Sequence, residues 1–363
     1  MRPDGPIRVL IISDLIVLRR VLALQLAAAR DIHPVTCGGE TNEVRDHLIH
    51  QHPEVIVLDL GITRSDPLVM LHKLRTHYPV PVFVLAEPKG DGRDRAIRAV
   101  GLGALEFIPK PPPRDRAALT EHANDLLLKI RIAVIQARPT PRMVAAPGQP
   151  LSFRAVGMDP RQHVIAVGAS TGGPEALATL LQRCPPDSPP IVIVQHMPVG
   201  FTKAFADRLS GSCAVRVAEA EDGEPLTVGC ALIARGDTHL TVRAAGSGWI
   251  VRYADQTPVN RHCPSVDVLF DSVALTVGTS AVGVLMTGMG RDGADGLLGL
   301  RQAGAVTVAQ DKNSSVVFGM PKEAIDIDAA MYIGAPQDIP TIIWRALRDR
   351  DRRRTRASAE RLP

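Results

Sequence analysis

The sequence predicts an α/β protein of two doubly wound parallel-sheet domains: a flavodoxin-like one first, then a larger one with a hairpin insertion. Three observations carry this. Short apolar runs alternate with helical stretches through both halves, the pattern of βαβ units. The chain has 363 residues, enough for two domains at roughly 150 residues each. Aromatic residues are 3% against 45% apolar residues, so the cores rest on Val, Leu, Ile and Ala, which suits strands buried on both faces.

In the first half, strands are read in IRVLIIS (7–13), EVIVLDL (54–60), VPVFVLA (80–86) and ALEFIPK (104–110), with helices near 15–29, 66–76, 93–101 and 115–136. ARPTPRMVAAPGQP (137–150) is rich in Pro and Ala and has no apolar period, which places a linker at 138–160. In the second half, strands are read in HVIAVGA (163–169), PIVIVQH (190–196), ALIAR (231–235), AVGVLMTG (281–288) and AVTVAQ (305–310). HLTVR and WIVRY form the hairpin, and helices fall near 174–184, 201–210, 265–278, 293–303 and 321–326. The expected organisation is a first domain over 1–137, a linker over 138–160, a second domain over 161–345 and a basic tail over 346–363.

The net charge of +4 is unevenly spread: residues 345–363 carry eight Arg against Asp349, Asp351 and Glu360, leaving the remainder near neutral. With no aromatic residue interleaved among these arginines, the tail reads as a solvated, frayed terminus rather than a nucleic-acid or membrane contact. The five cysteines (Cys37, Cys184, Cys213, Cys230 and Cys263) are odd in number and scattered, which suits a reducing cytoplasm and argues against a disulfide framework or a zinc site. MRPDGPIRVL lacks the apolar core of a secretory signal. Residues 272–290 carry no charge, but the GTS within them and the GMG at their end fit a helix–strand or strand–turn–strand pair better than a membrane span.

The chemistry concentrates in VGASTGG. Gly168-Ala169-Ser170-Thr171-Gly172 matches G-x-S-x-G between a strand and a helix, the setting of a nucleophile elbow, with the Thr171 amide placed to donate to an oxyanion. The same glycines before a helix also suit a phosphate cradle, and the motif alone leaves the two readings level. A nucleophilic serine needs a base, and the base an orienting group. In open parallel sheets the ligand site lies beyond the carboxyl ends of the strands. Ser170, His196 and Asp292 each follow a strand and so share one edge. His163 begins a strand and belongs to the opposite edge; His239 begins a hairpin strand and is less well placed; His262 precedes a helix and stays open as a substrate-facing or supporting group. Asp295 is the alternative orienting carboxylate. The order Ser…His…Asp differs from that of α/β-hydrolases.

VGASTGGPEAL, QHMPVGFTKAFADRL, RHCPSVDVLF, LMTGMGRDGADGL and SSVVFGMPKEAI together resemble the chemotaxis protein-glutamate methylesterase family over about 163–340, and residues 7–112 resemble the receiver domain that precedes the esterase in that family. The resemblance implies a carboxylic ester hydrolase acting on glutamate γ-methyl esters of methyl-accepting chemoreceptors and deamidating certain receptor glutamines. It implies Ser170 as nucleophile, His196 as base, Asp292 as its orienting group, an oxyanion donor near Met289, no cofactor for catalysis, and a chemotaxis-type histidine kinase as partner. It also implies that the receiver covers the esterase site until activated.

For the receiver, the resemblance implies Asp59 as phosphoacceptor, Asp14 as acidic helper, Lys110 as partner of the phosphoryl group, and a weak Mg²⁺ site on Asp14 and Asp59. The departures are specific. Ser13-Asp14 stands where the family has an acidic pair, Ala86 where it has Thr or Ser, and the loop after Asp59 lacks the usual Met-Pro and Gly. The expectation is phosphorylation with a weakened response, against the alternative of regulation by contact alone. Two other functions compete: a signalling adaptor whose second half only binds receptors, and a nucleotide-binding protein using GASTGG as a phosphate loop, which lacks the following Lys of that motif.

Overall fold

The computed structural model describes residues 5–78, 80–110, 116–137, 152–153 and 158–359. Contacts divide the chain into two units, Met1–Arg142 and Met143–Pro363.

The first unit runs β1 (Ile7–Ile12), α1 (Ile16–Ala27), β2 (Ile32–Cys37), α2 (Thr41–Gln51), β3 (Val55–Asp59), α3 (Pro67–His77), β4 (Val82–Ala86), α4 (Gly90–Gly101), β5 (Glu106–Pro109) and α5 (Arg116–Ala137). Its sheet has the order β2-β1-β3-β4-β5, parallel throughout. Every residue of β3 and β4 is buried, as strands covered by helices on both faces require. The α3 helix starts where Asp66 accepts hydrogen bonds from the amides of Leu68 and Val69 and Pro67 fills the first helical position. Two elements absent from the sequence reading, β2 and α2, complete the fold. The β2 strand is an edge strand interrupted by Pro34, and α2 is polar with only Val44 buried, so neither carries a strong period. The order reverses between β1 and β3, which puts the crevice of this unit at the ends of those strands.

The second unit begins β6 (Val164–Ala169), α6 (Gly173–Leu181), β7 (Ile191–Gln195), α7 (Phe201–Ser210), β8 (Arg216–Glu219) and β9 (Cys230–Ile233). The hairpin β10 (Leu240–Ala245) and β11 (Gly248–Tyr253) follows. It continues α8 (Val266–Thr276), β12 (Ala281–Leu285), α9 (Ala294–Gln302), β13 (Val306–Gln310), α10 (Met320–Asp326), β14 (Tyr332–Gly334) and α11 (Ile339–Ala359). Its seven-stranded parallel sheet has the order β14-β13-β12-β6-β7-β9-β8. Along β6, Ile165 and Val167 enter one core layer and Val164 and Ala166 the other, the period-two alternation of a doubly covered strand. From β6 the chain first adds strands on the β7 side and later returns to add β12 on the other, so β6 and β12 flank the switch point.

The uncharged stretch 272–290 resolves into the end of α8, a turn and β12, and no helix among the described residues is long and apolar enough to cross a membrane. The segment read as a frayed tail instead continues α11 to Ala359, and its first residues are structural: Ala346 and Leu347 lie in the core with Ile339 and Ile343. The proposed linker mostly lies outside the described residues, yet Phe153 and Met158 are buried in the second unit's core. Phe270, on α8, is fully buried in the opposite layer. Phe270→Ala is expected to destabilise this unit by about 3–5 kcal/mol through lost contacts and a residual cavity. Urea unfolding followed at the second unit's transition measures it.

Candidate active site

Ser170 sits at the turn between β6 and α6. Its amide donates to Thr287 O (2.9 Å), and Gly173 N donates to Ser170 O (2.8 Å). Gly172, at φ +77°, supplies the left-handed residue that opens α6. Close approach explains two other glycines: a Cβ on Gly168 would lie 2.2 Å from Val266 Cγ1, and one on Gly288 would lie 2.7 Å from Ser170 Cβ. The loop after β12 therefore lies directly against the serine. Among the described residues the amides of Thr171 and Met289 donate no hydrogen bond, and Met289 is exposed.

His196 follows β7, whose Gln195 is in register with Ala169, and its amide donates to Ala169 O (3.1 Å). The backbones bearing Ser170 and His196 are thus neighbours. Gln195, buried and missed by the sequence reading, donates from Nε2 to Ser170 O (2.8 Å) and so ties the elbow to β7. The imidazole Nε2 of His196 lies 2.9 Å from Asp292 Oδ2. Nδ1 is buried with no hydrogen-bond partner. A carboxylate only accepts, so Nε2 carries the hydrogen and Nδ1 is the ring nitrogen left to take a proton.

Asp292 is 1% exposed. Its oxygens accept from Ser265 Oγ (2.7 Å), Val266 N (2.7 Å) and Asn260 Nδ2 (2.9 Å) as well as from His196. Ser265 and Val266 open α8, so the carboxylate rests on that helix's N-terminus. Burial alone would raise its pKa. The hydrogen bonds from His196, Asn260, Ser265 and Val266 outweigh burial and hold it well below the usual carboxylate range.

The other candidates fall elsewhere. Asp295 is exposed and paired with Arg291 (2.6 Å). His163 lies at the opposite edge, its Nδ1 3.3 Å from Ser280 O. His239 contacts Thr257 O through Nε2 (2.8 Å) and accepts from Ser265 N at Nδ1 (3.0 Å), a supporting role. His262 stacks on His196, with ring centroids 3.8 Å apart and planes 9° apart.

A family model described as CheB methylesterase matches residues 165–343. A protein-glutamate methylesterase/protein-glutamine glutaminase of Chromohalobacter salexigens is 40% identical over 344 residues, 94% of this chain and 96% of that one. This chain belongs to the protein-glutamate methylesterase family. A relative of the same description from Pectobacterium atrosepticum is 43% identical over 319 residues, 88% of this chain and 91% of that one. The Thermotoga maritima CheB methylesterase catalytic domain aligns at 38% identity with a TM-score of 0.49, covering 51% of this chain and 98% of that chain.

In the receiver unit of this methylesterase homologue, Asp59 ends β3 and is fully buried. Ser13 Oγ donates to its Oδ2 (2.6 Å), while Gly61 N (2.7 Å) and Lys110 Nζ (2.8 Å) hold Oδ1. Asp14, read as its acidic helper, is engaged elsewhere: Oδ1 accepts from Gly39 N (2.9 Å), and Oδ2 from Thr63 N (2.7 Å) and Arg64 N (3.3 Å). Burial would raise the Asp14 pKa, but these amides lower it overall. Mg²⁺ is bound through one or two carboxylates and waters, and both carboxylates here hold protein donors. One carboxylate is spent on backbone amides, the other on a hydroxyl, an amide and an ammonium. Among the described residues no three His, Cys, Asp or Glu cluster to hold a metal ion. Ala86, buried at the end of β4, presents a methyl group where the family has a hydroxyl.

Asn260 also donates to Asp267 Oδ2 (2.6 Å), bridging Asp267 to Asp292. Burial pushes the Asp267 pKa up to about 6, helped by the Asp292 charge and opposed by the Gly296 amide. A pKa raised on folding contributes stability that is full below the unfolded value and is lost as pH rises through the folded one. Raising the pH from 4 to 7 should therefore remove up to about 3 kcal/mol from this group. Asp292, with its lowered pKa, stays ionised across that window. Asp267→Asn is expected to flatten this loss, measured as unfolding midpoints of variant and wild type at the two pH values.

Proposed function

We propose that this chain is a protein-glutamate methylesterase and protein-glutamine glutaminase, cleaving glutamate γ-methyl esters and deamidating glutamines on methyl-accepting chemoreceptors through Ser170, His196 and Asp292. The observation that carries the reading is the 2.9 Å contact from His196 Nε2 to buried Asp292, at a strand end adjacent to the one bearing Ser170. The relatives' described activity supplies the substrate class.

In the proposed reaction Ser170 Oγ attacks the ester carbonyl carbon while His196 Nδ1 takes the hydroxyl proton. Asp292 stabilises the imidazolium that forms and keeps its Nε2 hydrogen in place. The carbonyl electron pair moves onto oxygen, which the amides of Thr171 and Met289 receive, each such donor worth about 3 kcal/mol. Collapse breaks the C–O bond, and methanol departs with the proton from His196. Water then attacks the acyl-serine by the same proton relay and frees the glutamate carboxylate. With glutamine, ammonia is the leaving group. The five cysteines are unpaired, as suits the cytoplasmic side on which such an enzyme meets receptor tails. Ser170→Ala is expected to lower kcat for methanol release from methylated receptor by on the order of 10⁶-fold with the fold intact. Substantial turnover in that variant would defeat the nucleophile assignment, and would return the chain to the adaptor reading.

The receiver unit regulates the esterase through Asp59 with a weakened response, Ser13, Gly61 and Lys110 holding its carboxylate. Incubation with Mg²⁺ and a small phosphodonor should add the mass of one phosphoryl group to part of the intact chain, a gain that disappears in Asp59→Asn. An unchanged mass would remove Asp59 as a phosphoacceptor and the coupling to a histidine kinase.

A further inference from the structure

We propose that His262 is a positioning residue for the ester hydrolysis, a flat plate that holds the His196 ring in the plane where Nε2 meets Asp292 and Nδ1 stays free to take a proton. The proposal rests on the assignment of His196 as the base.

Four observations lead there. The His196 side chain is held by one hydrogen bond, to Asp292, and Nδ1 has no partner. One hydrogen bond fixes a point of the ring and leaves it free to rock about that point. A second ring 3.8 Å away and within 9° of coplanar removes that freedom, because tilting would drive the faces together.

The plate is itself held firmly. Val259 and His262 exchange two backbone hydrogen bonds (3.0 and 2.9 Å) around Asn260 and Arg261, both in the left-handed region at φ +53° and +67°. That is the conformation of a type I′ turn, adopted here without glycine and so held by its surroundings. Asn260 supplies the anchor by donating to both Asp292 and Asp267.

The segment 260–267 therefore does two jobs. Asn260, Ser265 and Val266 cage the carboxylate, and His262 flanks the ring that carboxylate orients. Moving the turn would shift both together. Finally, burial and the neighbouring His196 lower the His262 pKa, opposed by Asp292. A neutral aromatic face accommodates an adjacent cation, whereas a second imidazolium would repel it.

The test uses the full chain, ¹⁵N-labelled, as wild type, His262→Phe, His262→Ala and His262→Asn. Methanol release from methylated receptor gives kcat and KM, and the imidazole ¹⁵N spectrum gives the tautomer of His196. The Ala and Asn variants are expected to lose about 10- to 100-fold in kcat, the scale of a small misplacement of a catalytic group, with KM unchanged. Their His196 nitrogens should shift from the pure Nε2–H tautomer towards an exchanging mixture. The Phe variant, flat but without nitrogens, should recover most of kcat and the wild-type spectrum. Loss in Phe equal to that in Ala would overturn the proposal and make the imidazole nitrogens of His262 participants in the chemistry. Unchanged kcat and spectrum in both Ala and Asn would also overturn it. Should Ala fail to fold, Asn and Phe carry the same comparison. Turnover surviving in Ser170→Ala would defeat the triad reading without altering the ring spectra, so the two failures are distinguishable.

Discussion

A buried negative charge organises the second unit. Taking a carboxylate out of water costs several kcal/mol unless its lone pairs are satisfied. Asp292 is satisfied by a hydroxyl, an amide side chain, the opening of α8 and an imidazole. Each donor comes from a segment remote in sequence, so the loop after β12, the turn before α8 and the end of β7 must all arrive for the charge to be tolerated. The same contacts keep the carboxylate ionised, and that ionisation sets the tautomer of His196.

Sheet topology makes this convergence economical. With β6 between β7 and β12, the three loops that leave their carboxyl ends are adjacent without any long excursion. Side chains that would obstruct the approach are missing where it is tightest. Gly168 admits Val266 at the head of α8, and Gly288 admits Ser170. Gln195 and Thr287 then lock the loops to one another; Thr287 Oγ1 donates to Thr171 O (3.0 Å) and accepts from Val317 N (2.9 Å). The serine is thus presented by a rigid elbow.

The receiver unit shows the same fold logic with a different electrostatic outcome. Its buried Asp59 also lies at a strand end beside a switch point, but Lys110 and Ser13 already balance it. Ser13 Oγ takes one oxygen of this carboxylate, and Gly61 N and Lys110 Nζ the other. The neighbouring Asp14 then serves to hold the Gly39 and Thr63 backbones.

Much of this was legible in the sequence because it is local. Buried parallel strands are short, apolar and spaced by helices, and residues that directly follow them lie on one edge, so Ser170, His196 and Asp292 could be placed on one edge before any coordinates; of these side chains the structure joins His196 and Asp292 by a hydrogen bond, and His196 Nδ1 has no partner. Elements with little burial were not legible: β2 with its proline, the exposed three-residue β14, and α11, whose arginines mask a buried first stretch. The partners of each polar group were also beyond reach. That Asp14 turns to backbone amides, that Asn260 bridges two carboxylates and that His262 lies flat on His196 depend on contacts between segments remote in sequence. Strand and helix periodicity repeat along the chain and are written in it. Hydrogen-bond partnership and ring stacking depend on angstrom-scale placement across the fold, which only tertiary packing decides.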